Sequence, residues 1–201
     1  MTTTAFAPQI ETVDYNKIYS VEAYFEIERQ SEIRHEFYYG KLIAMPGESI
    51  NANRISTRII LQLFPLEERG FVVCHHDVKT RIKSNKIYRY PDVVVARDND
   101  EINILESPVL LVEVVSEGSI KTDNVTKVNE YRNLPSTLYY MIVEQDEMEV
   151  RLYRRIDTGW SFESYDDKNP IIVLPHLDIS LDIRQFYKGI ALPKGEPRSD
   201  D

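Results

Sequence analysis

Apolar and polar positions along this chain of 201 residues change period repeatedly, and each change marks an element. Ser20 is suited to cap a helix over about 21–29, VEAYFEIER. RHEFYYGKLIAM reads as a hairpin turning near Tyr39-Gly40. Residues 50–66 place Ile55, Ile59, Leu63 and Leu66 on one stripe, the spacing of a core-facing helix. FVVCHHDVKTRIK and IYRYPDVVVA read as a strand pair broken at Ser84-Asn85. LLVEVV is a strand flanked by Pro108 and Gly118, and a helix over about 120–133 stops before Pro135. LYYMIVE and MEVRLYRR form another strand pair around Gln145-Asp146. WSFESY and IIVL are short strands, and Ser180 can cap a last short helix, LDIRQFY. Helices interleaved with strands predict a mixed-sheet α/β or α+β domain.

Residues 1–14 and 191–201 are polar and turn-rich and read as flexible tails, which leaves 15–190 as a single domain. A chain of this length buries roughly 70% of its unfolded surface without staples. Cys74 is the only cysteine, so no intrachain disulfide forms. The first residues lack a basic start followed by an apolar run, and no stretch approaches the roughly 18 apolar residues that span a bilayer. The expectation is a cytoplasmic protein with no membrane contact. A net charge of −9 argues against strong non-specific binding to nucleic acid. It leaves room for an enzyme that meets such a substrate at a metal and one basic strip.

Two carboxylates stand where carboxylates rarely stand. Asp92 opens the β-branched run VVVA, and Glu113 lies inside LLVEVV, sharing a strand face with Leu111 and Val115. Both faces of that strand are apolar, as in a central strand covered by helices. An unpaired buried charge is expensive, so both acids ask for a cation. A glutamate at a sheet rim, paired with an arginine, is the plainer reading. On the following helix Asp123, Lys127 and Tyr131 are each four residues apart and lie along one side. Lys127 falls at the edge of the apolar stripe, where it either reaches the sheet or pairs with Asp123 in solvent. Two acids holding a divalent metal, with an ammonium beside it, make a device for hydrolysing phosphate esters.

Lys79, Arg81 and Lys83 alternate along one strand and so project from one face, the best candidate for a strip that contacts phosphates. Lysines that guard an edge strand give the same pattern. Cys74, His75 and His76 are adjacent, but neighbouring strand residues point to opposite faces and no second Cys/His pair stands at ligand spacing. A structural zinc site is excluded on that ground. No nucleotide-binding glycine loop or nucleophile elbow occurs. A two-carboxylate glycosidase would want aromatic sugar platforms near the acids, and none is evident.

YPDVVVA followed by EVVSEGSIKTDNVTKVNEYRNLPS resembles the Uma-type "putative restriction endonuclease" family, a branch of the PD-(D/E)XK nuclease superfamily. RHEFYYGKLIAMPGESINANRI resembles the family's amino-terminal signature and SLDIRQFY its closing helix, so the likeness runs from about Ser20 to Tyr187. Glu113, Ser116, Asp123, Lys127 and Tyr131 stand in the family's order and spacing. The resemblance implies a restriction-endonuclease-like core, helices flanking a mixed β-sheet, and an endonuclease acting on DNA. It implies Mg²⁺, with Mn²⁺ as substitute, held by Asp92, Glu113 and the carbonyl of Val114. Lys127 would be the catalytic lysine, since Val115 stands where the wider superfamily has one. Glu36, Asp123 and Tyr131 are supporting residues. Relatives of this fold often pair, so a homodimer is compatible, although no heptad or interface patch in the sequence specifies one.

Two departures from the family pattern matter. Ala52 stands where the family usually carries a histidine, and Glu117-Gly118-Ser119 replaces a Pro-Ser-Thr run. They keep a competing reading open, a weak or inactive nuclease fold that serves as a binding or regulatory module.

Overall fold

Two interruptions of the extended chain decide the architecture. The computed structural model describes residues 13–45, 47–98, 103–116 and 123–192. The run 71–83 is not one strand but two, β3 (Phe71–His75) and β4 (Lys79–Lys83), because His76 turns at φ +47°. The run 87–96 likewise divides into β5 (Ile87–Arg89) and β6 (Val93–Arg97), with Tyr90 and Pro91 between them. Proline has no N–H for a ladder and fixes its own φ, so a sheet ends there readily. β4 pairs with β5 in one sheet and β3 with β6 in another. Asp92 therefore stands where the chain passes from one sheet to the next.

The amino-terminal elements follow the sequence pattern. Helix α1 (Val21–Gln30) is capped by Ser20, whose hydroxyl oxygen accepts from the Ala23 N–H at 3.2 Å. β1 (His35–Tyr38) and β2 (Lys41–Ala44) form the hairpin, with positive φ at Tyr39 and Gly40. Two-residue hairpins need that conformation to match strand twist. Gly40 is further constrained, since a Cβ there would stand 2.6 Å from Ile18 Cγ2. Helix α2 (Ile50–Leu63) buries Ala52, Ile55, Ser56, Ile59 and Leu63 and continues into a 3₁₀ turn that buries Leu66.

The remaining elements are β7 (Ile104–Leu105), β8 (Pro108–Val115), α3 (Asp123–Arg132), β9 (Tyr139–Glu144), β10 (Val150–Ile156), β11 (Gly159–Tyr165), β12 (Ile171–Leu174), β13 (Ile179–Asp182) and α4 (Ile183–Phe186). The expected cap at Ser180 gives way to Asp182. Residues 179–182 pair with β12, and the Asp182 carboxylate then accepts from the Arg184 N–H at 3.1 Å.

Among the described residues a six-stranded sheet runs β11-β10-β9-β8-β6-β3, a five-stranded sheet runs β2-β1-β5-β4-β7, and β12 pairs with β13. The pair β8–β9 is parallel and needs a crossover, which α3 supplies, while β6–β8 is antiparallel, so the large sheet is mixed. One of its faces carries Val93, Val95, Leu110, Val112 and Met141 against α2 and α4. The other carries Val94, Leu111, Val115, Tyr140 and Ile142 against Tyr131 of α3 and Ile82 and Ile87 of the smaller sheet. The protein is a mixed α+β fold with few helices flanking mixed sheets. No helix among the described residues is long and apolar enough to cross a membrane.

Candidate active site

Glu113 lies on the α3 side of the central strand, and its surroundings follow from that face. The side chain is 8% exposed. Tyr131 donates its hydroxyl proton to Oε1 at 2.8 Å, and Lys127, one helical turn earlier, donates to Oε2 at 3.2 Å. The Lys127 ammonium also stands 3.3 Å from Glu36 Oε1, a contact within ion-pair range but without hydrogen-bond alignment. Of the two readings of Lys127 from sequence, the side chain takes the inward one. The side chain of Asp123 lies outside the described residues, as do Glu117, Gly118 and Ser119.

Asp92 approaches from the end of β6. Val93 faces Val112 in the antiparallel register, so the next step brings Asp92 opposite Glu113. Its Oδ2 accepts from the Val114 N–H at 2.5 Å. The N–H and C=O of a strand residue leave from the same edge. The Val114 carbonyl therefore points into the same gap, past the end of β6. Asp92, Glu113, Val114 and Lys127, with Glu36 and Glu48, line an open-sided cleft of about 290 Å³.

The cleft is rich in acid. Burial pushes the Asp92 carboxyl well above the usual carboxylate range, and the Glu113 charge adds to this against the opposing Val114 hydrogen bond. Burial raises Glu113 as well, with Lys127 working the other way and Glu36 reinforcing the rise. Glu36 and Glu113 meet Lys127, Glu36 and Glu130 meet Arg89, and Glu48 and Asp92 face His76, so acids outnumber the lysine and arginine among them. Each Glu113 oxygen accepts from one donor, which leaves further acceptor capacity on a carboxylate that lines the cleft. Carboxylate and carbonyl oxygens around a charge surplus form a hard donor set that fits a divalent cation.

Behind the cleft Arg89, 1% exposed, holds the acids in place. Its Nε and Nη2 donate to Glu130 at 2.9 and 2.7 Å, and its Nη1 donates to Glu36 at 2.6 Å. Burial opposes its charge, but the hydrogen bonds to Glu130 and the Glu36 charge keep it firmly protonated. Sequence reading placed none of Arg89, Glu130, Glu48 and His76 at this site, having set His76 aside as a zinc ligand. Arg89 is one charged residue in a short strand and Glu130 one of several polar residues on its helix, so neither carries a distinct signal in the sequence.

The proposed phosphate strip is not presented as one. Lys79 is buried, with its ammonium 4.5 Å from the Tyr24 ring centre and 4.7 Å from that of Phe25. Arg81 pairs with Glu106, and the register of β4 against β5 shifts between Arg81 and Lys83. Lys83 alone is exposed, donating to the Tyr39 hydroxyl at 2.9 Å. Alternation gave a common face, but α1 covers part of it.

Two uncharacterized proteins of Synechocystis sp. are similar to this chain. Slr1290 is 29% identical over 177 residues, covering 86% of this chain and 93% of its own. Sll1609 is 29% identical over 153 residues, covering 72% and 85%. The crystal structure of "a putative nuclease belonging to DUF820" from Anabaena variabilis shares the fold, with a TM-score of 0.59 at 19% identity over 79% of this chain and 92% of that one. The profile of the family Uma2 matches residues 21–184, from the first helix into the last. The chain therefore belongs to the Uma2 family, whose description is "putative restriction endonuclease".

Proposed function

We propose that the protein is a divalent-metal-dependent endonuclease that hydrolyses phosphodiester bonds in DNA. The observation that carries this reading is the meeting of Asp92, Glu113 and Lys127, from three separate elements, in one cleft. Family membership supports a nuclease role in general terms. In this proposal Asp92, Glu113 and the Val114 carbonyl hold Mg²⁺, or Mn²⁺ in its place.

A divalent ion so held supplies Lewis acidity to a phosphoryl oxygen and acidifies a neighbouring water. The protein's own groups do the rest. Tyr131 fixes the rotamer of Glu113 by holding Oε1, so that the carboxylate presents its remaining lone pairs to the cleft. The Val114 N–H does the same for Asp92. Lys127 keeps an ammonium at the cleft wall, where it orients a water and offsets charge that develops on the phosphorane. Glu36 shares Lys127 with Glu113 and is itself held by Arg89, which sets the position of the ammonium.

Nicking of supercoiled plasmid DNA with Mg²⁺ or Mn²⁺, wild type beside Glu113→Ala, tests the proposal. Cleavage by the wild type and its loss in the variant are expected. Equal cutting by both would overturn it. Nucleic-acid binding indifferent to metal, without cleavage, would favour the binding-module reading instead.

A further inference from the structure

One group of ligand-bearing side chains among the described residues joins Asp92 to two residues that the reading above leaves without a role. His76, from the turn between β3 and β4, and Glu48, just before α2, close on the second oxygen of Asp92. Val114 occupies Oδ2, while Oδ1 lies 4.0 Å from His76 Nδ1. The same Nδ1 is in ion-pair contact with Glu48 Oε1. One ligand atom from each of the three residues lies within 4.8 Å of the others. His76 Nδ1 is shielded from solvent and makes no hydrogen bond of good geometry. The backbone holds the ring there, because the His76 N–H donates to the Asp92 carbonyl at 3.3 Å.

We propose that Glu48, His76 and Asp92 form a second cation subsite, one that takes a first-row transition-metal ion such as Mn²⁺ or Zn²⁺ in preference to Mg²⁺. The subsite extends the nuclease reading, on which it rests through the shared Asp92. An imidazole nitrogen beside two carboxylates is a mixed donor set that suits transition metals, whereas Mg²⁺ favours oxygen and retains its waters. Metal–ligand bonds of about 2.0–2.2 Å put neighbouring donor atoms roughly 3–4 Å apart. The 4.0 Å between His76 Nδ1 and Asp92 Oδ1 already stands at the edge of that range. The three residues come from separate loops and a strand start, which is why no spacing in the sequence announces them. His76 was dismissed beside Cys74 and His75, and its partners are instead the two acids.

Mn²⁺ titration by calorimetry, with NMR of the histidine imidazoles, tests the subsite on the full chain. The variants are His76→Asn and Glu113→Ala, with folding checked by circular dichroism. Asparagine tolerates positive φ, so the turn at residue 76 is kept. The wild type is expected to bind two equivalents of Mn²⁺ and each variant one. The His76 imidazole signals should broaden in the wild type and in Glu113→Ala, and excess Mg²⁺ should not reverse this. Mn²⁺ stoichiometry unchanged in His76→Asn, or an unbroadened His76, would overturn the subsite and leave Glu48–His76 a plain contact. Should His76→Asn fail to fold, broadening of His76 that persists in Glu113→Ala under excess Mg²⁺ decides for the subsite, and its reversal there decides against it. Failure of the nuclease reading looks different: the wild type would bind one equivalent, kept in Glu113→Ala and lost in His76→Asn, and would leave DNA uncut, with the His76 signals still broadened.

Discussion

The Tyr131 hydroxyl donates to Glu113 Oε1 across 2.8 Å, from a ring with no solvent exposure. Lys127 lies four residues earlier on the same helix and takes Oε2. One side of α3 thus fixes both oxygens of a carboxylate borne by the neighbouring strand, and the helix acts as a jig for the acid. Orientation of this kind matters more than affinity when a site has to present lone pairs in one direction.

Tyr131→Phe keeps the ring and removes the donor. The buried carboxylate then loses one of its two partners, a change worth about 1–3 kcal/mol in stability. Mn²⁺ affinity is expected to fall by about 10- to 100-fold, as for other losses of an orienting group behind a ligand. Urea denaturation and calorimetry check the two effects separately. A variant unchanged in both would reduce Tyr131 to packing.

Lys127→Met separates catalysis from metal binding. The cation competes with any metal for Glu113, so its removal is expected to leave Mn²⁺ affinity equal or stronger. Single-turnover nicking should fall by about 10²–10³, the usual cost of losing one group that stabilises transition-state charge. If nicking and metal binding fell together, Lys127 would be acting on the fold rather than on the reaction.

Much of this arrangement was legible before any coordinates. Glu113 announced itself by interrupting a β-branched, apolar run, where a charge has no inexpensive place, and Asp92 by opening another such run. Helical spacing put Lys127 and Tyr131 on one side of α3 while leaving open whether Lys127 faced the sheet, and Tyr39-Gly40 marked the hairpin. What stayed hidden is non-local. Arg89 looks like one polar residue in an alternating strand, and its burial depends on Glu130, which lies on α3 and contributes two of its three hydrogen bonds. Lys79 shares a face with Arg81 by alternation, but no periodicity reveals that the aromatic rings of α1 cover it. Ser180 and Asp182 are equally good caps in isolation, and pairing between β12 and β13 decides for Asp182. His76 and Glu48 meet Asp92 only because the chain changes sheets at Tyr90 and Pro91.

Arg89→Met tests the internal brace independently of any function. Arg89 is 1% exposed and compensates Glu36 and Glu130 together. Removing it leaves two buried carboxylates without their shared cation, for which about 3–5 kcal/mol of lost stability is expected. Arg89→Lys should recover only part of this, because an ammonium cannot reproduce the fork that spans Glu130. Denaturant midpoints of the three proteins give the measurement. A wild-type midpoint in Arg89→Met would show that the acids rearrange to water instead.

The excess of acid also fixes the sign of the pH response. Burial, then mutual repulsion, raises Asp92, and burial raises Glu113 against the pull of Lys127. A carboxyl whose pKa is higher folded than unfolded binds more protons in the folded state across the interval between the two values. The metal-free protein is therefore most stable below the ordinary carboxylate range, as far as these two groups decide, and loses that contribution as pH rises through their raised folded values. A divalent cation held as proposed would reverse the sign, since such an ion binds ionised acids and gains affinity as they lose protons. Melting temperatures across this interval, in chelator and in Mn²⁺, should diverge as pH rises, the chelated curve falling and the Mn²⁺ curve rising. The gap between them should shrink in Glu113→Ala. Parallel curves would mean that the cleft does not bind the ion through these acids.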